Sequence, residues 1–319
     1  MDWLLPLREV LLFAVDAFPL MLAGLILLIA ARWLFFWTTP LASDKEIVDH
    51  QNGAVGVVLA GYMLSVGLAL TGALYGRGQG VVWETALEML AQGAVVVVLL
   101  LLSIWINDKV ILRSFSVVQE IREDRNLGAA FCVAGSCLAS GLVLNGALSG
   151  YSLDFWSGLR DIGLYWLVGQ ALLALAGWVY HRLARYDVHH VIEYDDNAAA
   201  GLGFGGFLLA LGIVVRASLV GAGKAPLVAE LLSTLCMGLL GLLLLAAINS
   251  LTTRFVLPSA NYEEEVEMKR NLAAAAVIVS MTLAVALVIA VPLQRRDVSS
   301  PASAPTGTSM EAADNPTGK

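Results

Sequence analysis

Residues 120–148 read EIREDRNLGAAFCVAGSCLASGLVLNGAL, and this stretch decides the fold. A charged lead ends at Asn126, and 22 residues that are almost all small or apolar follow, from Leu127 to Leu148. As a helix those residues rise ~33 Å, about the thickness of a bilayer's hydrocarbon core. The stretch therefore predicts a membrane span entered through an asparagine.

The same pattern recurs three times: EIVDHQNGAVGVVLAGYMLSVGLALTGAL from Glu46, VIEYDDNAAAGLGFGGFLLALGIVVRASL from Val191, and EVEMKRNLAAAAVIVSMTLAVALVIAVPL from Glu265. Each copy has asparagine at its seventh position, giving Asn52, Asn126, Asn197 and Asn271 at separations of 74, 71 and 74 residues. Nine residues on stand Gly61, Gly135, Gly206 and Ser280, and six further Gly67, Gly141, Gly212 and Ala286, without a gap. A register kept over four copies is the mark of an internal repeat. The fourth copy is worn, with Ser280 and Ala286 in place of glycine.

The composition agrees. Of 319 residues, 58% are hydrophobic and 14% charged, with a mean hydropathy of +0.77; a soluble domain has about 25% charged residues. Soluble enzyme folds are excluded, and a bilayer is the solvent that folds the chain. Eight spans are predicted near 17–37, 53–75, 86–108, 127–148, 161–184, 198–220, 229–253 and 272–292. The fold class is an all-α membrane protein, eight transmembrane helices built from four parallel two-helix repeats. It divides into an N-terminal interfacial segment at 1–16, repeats 1 and 2 at 17–148, repeats 3 and 4 at 149–292, and a Ser-, Pro- and Ala-rich flexible tail at 293–319. The segment MDWLLPLREV lacks a basic n-region and does not read as a cleaved signal.

The intervening spans repeat too. Trp33, Trp105 and Trp178 each follow an acid by seventeen residues, Asp16, Glu88 and Asp161, and Glu230 occupies nearly that place in the last unit, with Ile248 where tryptophan would stand. Bases number eleven on the asparagine side and eight on the other, so the positive-inside rule places the asparagine loops in the cytoplasm and both termini outside. The net charge of −7 argues against a nucleic-acid surface. Cys132, Cys137 and Cys236 lie inside spans and read as small hydrophobes rather than a disulfide or metal framework.

The run E-I-x-x-x-x-N-x-A/G followed by a glycine-spaced apolar helix resembles the bacterial inner-membrane family of YjfL, domain of unknown function 350. Its chains usually carry two such units in four spans; here the resemblance covers about residues 16–292 as a doubled form. It implies a bacterial inner membrane and, frequently, gene neighbours related to polyamine–peptide ligases or phage-shock proteins. It implies no established activity, catalytic residue or cofactor.

Two readings fit each recurring polar set. Asn52, Asn126, Asn197 and Asn271 either cap their helices and lock neighbouring repeats together, or converge on the repeat axis to coordinate a dehydrating cation or a polar solute. Asp16, Glu88, Asp161 and Glu230 either cap helix starts, in keeping with Pro19 and Pro226, or form an outer acidic ring that concentrates cations. The glycines read as close-packing positions. Asn145 and Arg216 share the repeat position of Thr71; Arg216 lies inside an apolar run, a functional candidate or a snorkelling base paired with Asp161. His181, His189 and His190 lack zinc-ligand spacing, and the acids at 263–267 read as a solvated helix face. No P-loop, Rossmann glycine pattern, G-x-S-x-G or H-E-x-x-H occurs, so an enzyme is not expected and no metal or cofactor is implied.

The leading expectation is four two-helix units around a central axis that pass or gate a small cation or polar solute. The rival is a non-transporting scaffold whose cytoplasmic loops dock a protein partner. Both place the chain in a lipid bilayer, leave room for a homo-oligomer, and exclude nucleic acid as a partner.

Overall fold

The computed structural model describes residues 5–41, 44–74, 82–112, 116–152, 154–256 and 261–294, and the side chains there apart from those at 5–7, 9, 11–13, 16, 254 and 256. The described residues are helical and contain no strand. Eight helices are long: α1 (Leu5–Thr38), α3 (Gly53–Gly72), α4 (Val82–Ile106), α6 (Leu127–Leu148), α7 (Phe155–Leu183), α9 (Ala198–Leu219), α10 (Leu227–Val256) and α12 (Leu272–Leu293). Four are short: α2 (Asp44–Val48), α5 (Val117–Arg122), α8 (Val188–Glu193) and α11 (Tyr262–Glu267). Each unit is thus a first long helix, a short helix and a second long helix. All eight long helices are apolar enough to cross a membrane. The second helices match their predicted limits closely. The first helices begin earlier than hydropathy places them, because mixed-polarity turns such as Val82–Leu87 and Phe155–Arg160 extend them beyond the apolar stretch. Likewise α1 runs unbroken from Leu5, through the segment read as interfacial and past Pro19; the tail from 295 lies outside the described residues.

One local device makes the turn from short to long helix. Immediately before each asparagine stands a non-glycine residue with left-handed backbone: Gln51 (φ 51°), Arg125 (57°), Asp196 (49°) and Arg270 (50°). This conformation is disfavoured for L-residues by roughly 1–2 kcal/mol. Four recurrences show that the turn is a requirement of the unit. The asparagine N–H then bonds six residues back, to Glu46, Glu120, Val191 and Glu265 carbonyls at 2.8–3.3 Å. Its side-chain oxygen caps the new helix: Asn52 accepts from the N–H groups of Ala54 and Val55, Asn126 from Ala129, Asn197 from Ala199 and Ala200, and Asn271 from Ala274.

The second helices α3, α6, α9 and α12 pack side by side in a row, in that order. Gly61 lies against Ala134 and Gly72 against Asn145; Gly135 lies on the Gly205 backbone, Gly146 on Leu219, and Gly206 on Val279. Contacts that keep their order along both chains mean that these helices run in the same direction. The two glycine sets serve opposite faces. Gly61, Gly135 and Gly206 meet the following unit, whereas Gly141 and Gly212 meet Ser65 and Ala139 of the preceding one. A Cβ on Gly61 would sit 2.6 Å from Ala134 Cβ, so glycine sets the spacing of the row. Each first helix packs beside the second helix of its own unit, and α4, α7 and α10 also reach the second helix of the unit before. The middle helices α6 and α9 are therefore enclosed, with 78% of the span buried against 22–50% elsewhere. Trp33, Trp105 and Trp178 are all more than half exposed, as befits rings at the lipid interface.

Candidate functional site

Three polar layers lie along the row. The first is the asparagine layer. Beyond capping, Asn52 Nδ2 donates to the Ile121 and Arg122 carbonyls of α5 (both 3.1 Å), Asn126 Nδ2 to the Ile192 carbonyl of α8 (2.6 Å), and Asn197 Nδ2 to the Val266 and Glu267 carbonyls of α11 (2.7 and 3.4 Å). Each asparagine thus ties its own helix start to the short helix of the next unit. Among the described residues no unit follows that of Asn271, which bonds Glu265 of its own (2.8 Å). The asparagines point along the row and do not converge on an axis. The expectation of four units around a central axis is corrected in the same way, since α3 and α12 stand at the two ends of the row. Along the middle of α6 and α9 the partly exposed residues are Phe131, Leu138 and Leu142, and then Leu202, Leu209 and Ile213, all apolar. A pore on that side would be lined by hydrocarbon.

The carboxylates of this layer differ by surroundings. The hydrogen bond from His50 holds Glu46 below the usual carboxylate range, and the Lys269 hydrogen bond does the same for Glu265. Burial raises Glu120, against the bond from Asn126 at 2.8 Å. Arg122 of α5 reaches Glu46 of α2 at 3.5 Å, and Arg270 reaches Asp195 at 2.8 Å, adding ion pairs between successive units.

The second layer lies at the opposite end of the spans. Glu88, Gln92, Tyr151, Ser152, Asp161 and Tyr165 line a cleft of about 190 Å³ between α4, α6 and α7. Glu88 and Asp161 are each the seventh residue of their helix, so neither caps a helix start as the spacing suggested. Asp154 caps α7 instead, accepting from Trp156 and Ser157 N–H at 2.9 Å. Asp16 lies deep within α1, again not at a helix start, and its side chain is outside the described residues. Glu230 is buried and anchors a loop. Its carboxylate accepts from Tyr165 Oη (2.7 Å) and from the backbone N–H groups of Gly223, Lys224 and Ala225, pinning the segment that leads into α10. The acids therefore form no single ring; two share a cleft and one holds a loop. Beside them Arg216 Nε donates to Asn145 Oδ1, and Asn145 Nδ2 donates to Thr71 Oγ1 (2.8 Å) and the Leu68 carbonyl (2.7 Å). These three residues of one repeat position join three units. The suggested partner of Arg216, Asp161, pairs with Arg160 at 2.8 Å.

The third layer went unnoticed in the sequence. Midway along the same seam, Gln170 Nε2 donates to Ser140 Oγ (3.0 Å), Asn107 Nδ2 to Ser136 Oγ (2.5 Å), and Trp166 Nε1 to Ser103 Oγ (2.9 Å). All six residues are at least 94% buried. The amide oxygens Gln170 Oε1 and Asn107 Oδ1 have no hydrogen-bond partner. An unsatisfied buried polar group loses about 1–3 kcal/mol, and such groups commonly mark a water or ion position. Asn107 sits in the π-helical turn Asn107–Ile111 that ends α4, a distortion frequent at functional sites. The available signal was modest: Gln170 is the lone amide within an otherwise apolar span. Val143, packed on Gly169, lies between this cluster and the cleft above. His181 and His189 stack with ring centroids 4.0 Å apart, but among the described residues no three His, Cys, Asp or Glu side chains form a metal-holding group.

Comparison with known proteins bears on the same units. A family model described as Domain of Unknown Function (DUF350) matches twice, over residues 9–148 and 154–293, so each match contains two of the repeats. A protein named UPF0719 transmembrane protein, from Aquifex aeolicus (strain VF5), is 30% identical over 187 residues, which is 58% of this chain and 65% of that protein. The chain thus spans a little under two thirds of that relative. No solved structure matches.

Proposed function

This chain belongs to the DUF350 family, whose domain it carries twice in tandem, and from that premise we propose that it conducts or carries a small cation or polar solute along the seam between α4, α6 and α7. One observation carries the reading: two amide oxygens, on Asn107 and Gln170, lie buried without a protein partner beside serine hydroxyls. Uncharged oxygens of this kind can replace the hydration shell of a monovalent cation or accept from a polar solute. The cleft with Glu88 and Asp161 supplies a negative entrance. Val143 against Gly169 supplies an apolar plug between entrance and cluster. With more bases beside the asparagine loops, the cleft faces outward and the short helices face the cytoplasm of a bacterial inner membrane. No catalytic role enters this reading.

The test is flux of potassium, sodium, protons and spermidine into proteoliposomes. Flux of one of these that disappears in folded Gln170→Leu and Asn107→Leu, and persists in Asn126→Ser, supports the seam. Absence of flux with any of the four from folded, well-oriented protein overturns it. A second reading, a scaffold that docks a cytoplasmic protein, is favoured by one specific observation: the asparagines bond backbone of the short helices and so hold the cytoplasmic surface in a fixed array. Capture of one stoichiometric partner by the array, lost in Asn126→Ala, would support it.

A further inference from the structure

The row of second helices is built from one interface used three times, and among the described residues half of that interface is left uncovered at each end. At the α12 end, the residues equivalent to those that meet a following unit are Ala273, Ala276, Ser280 and Ala284, and all four are exposed. At the α3 end, the residues equivalent to Gly201 and to Gly141 and Gly212, which meet a preceding unit, are Gly56 and Gly67. An added Cβ on either would find nothing within 4 Å. Gly67 thus keeps a glycine of the close-packed set where none of the described residues packs on it.

The polar half of the interface is open in the same sense. Asn52, Asn126 and Asn197 each reach a short-helix carbonyl of the next unit, whereas Asn271 turns back to Glu265. The carbonyls equivalent to those acceptors at the other end belong to Ile47 and Val48 of α2, and Val48 is 70% exposed. The first helix completes the match. In the chain, α4, α7 and α10 pack against the second helix of the preceding unit, and among the described residues no unit precedes α1: Phe18, Met21 and Leu25 lie exposed along it.

We infer that a second copy of this chain docks head to tail, its α3 against α12 of the first, with Asn271 of one copy donating to the Ile47 or Val48 carbonyl of the next. The α6–α9 contact shows that the geometry is available. It joins the two family domains, residues 9–148 and 154–293, through the same glycine and asparagine contacts that join units within each domain. The contact is heterologous, so successive copies extend the row or close it into a ring.

Cysteine pairs read this directly in membranes, with Cys236, the exposed native thiol, changed to serine. Gly56→Cys with Ala273→Cys, and separately Gly67→Cys with Ala284→Cys, match the in-chain contacts Gly201–Gly128 and Gly212–Ala139. Oxidation should shift both double variants from the 33.9 kDa monomer to its multiples, and the exchanged pair Gly56→Cys with Ala284→Cys should stay monomeric. Since neither glycine position is crowded, folding is preserved and checked by thermal unfolding. A monomer in both matched pairs, equal crosslinking in the exchanged pair, or dimers from Gly56→Cys alone, which would mean α3 against α3, each overturns the inference.

Discussion

Replacing Asn197 separates what the repeat hinge contributes to a helix from what it contributes between units. In Asn197→Ala the N–H groups of Ala199 and Ala200 lose their cap, worth about 1 kcal/mol. The buried Val266 carbonyl and the half-buried Glu267 carbonyl lose their donor, worth about 1 kcal/mol more for a buried or interhelical bond. Asn197→Ala is therefore expected to destabilise by about 2 kcal/mol. Asn197→Ser keeps a capping oxygen but cannot span to α11, and should lose about half as much. Asn271→Ala is the internal control. It loses the cap on Ala274 and a bond to its own Glu265, with no bond to another unit in the chain, and should lose about 1 kcal/mol. Equilibrium unfolding in dilute mixed micelles, where copies are kept apart, gives the three values. Equal losses for Asn197→Ala and Asn271→Ala, or full recovery in Asn197→Ser, would refute the division of labour read from the hydrogen bonds.

Other expectations concern glycine, pH and the loop anchor. Gly135→Val places side-chain atoms on the Gly205 backbone; it should separate α6 from α9 and lower the unfolding temperature far more than Gly56→Val, whose site is open, as differential scanning calorimetry would report. Glu120, raised by burial, contributes stability that is complete below its ordinary carboxylate value and is lost as pH rises through the raised one. Glu120→Gln, which can still accept from Asn126, should remove that loss in thermal scans from acid to neutral pH. Glu265, lowered by Lys269, acts in the opposite sense: its contribution is present above the ordinary value and lost as pH falls through the lowered one, so Glu265→Gln should flatten the acid limb. Glu230→Gln replaces one acceptor oxygen with a donor facing backbone N–H groups or Tyr165 Oη, and should destabilise by about 1.5–3 kcal/mol and speed hydrogen exchange at Gly223–Ala225.

The family doubling, the eight spans and the second-helix limits were legible in the sequence because they are statements about periodicity and hydropathy, which a bilayer enforces on each helix separately. The recurrence of Asn52, Asn126, Asn197 and Asn271 was legible for the same reason, as was the close-packing reading of the glycines. What those asparagines touch was not. Whether Nδ2 reaches an axis or the next short helix depends on the left-handed residues Gln51, Arg125, Asp196 and Arg270, and no glycine marked that turn. The acids show the same limit: Glu88, Asp161 and Glu230 are alike in spacing, yet only the loop fold at Gly223–Ala225 turns Glu230 into an anchor while the other two line a cleft. Gln170 and Asn107 were single amides without repeat partners across all four units, and only packing α4, α6 and α7 together made them one buried cluster. Sequence by itself determined what kind of helix stands at each place in the row and how many there are, since helix formation and membrane burial are local. Tertiary structure decided which polar groups meet, because a hydrogen bond across helices is fixed by rotation and spacing, and glycines such as Gly135, packed directly against a neighbouring backbone, set both.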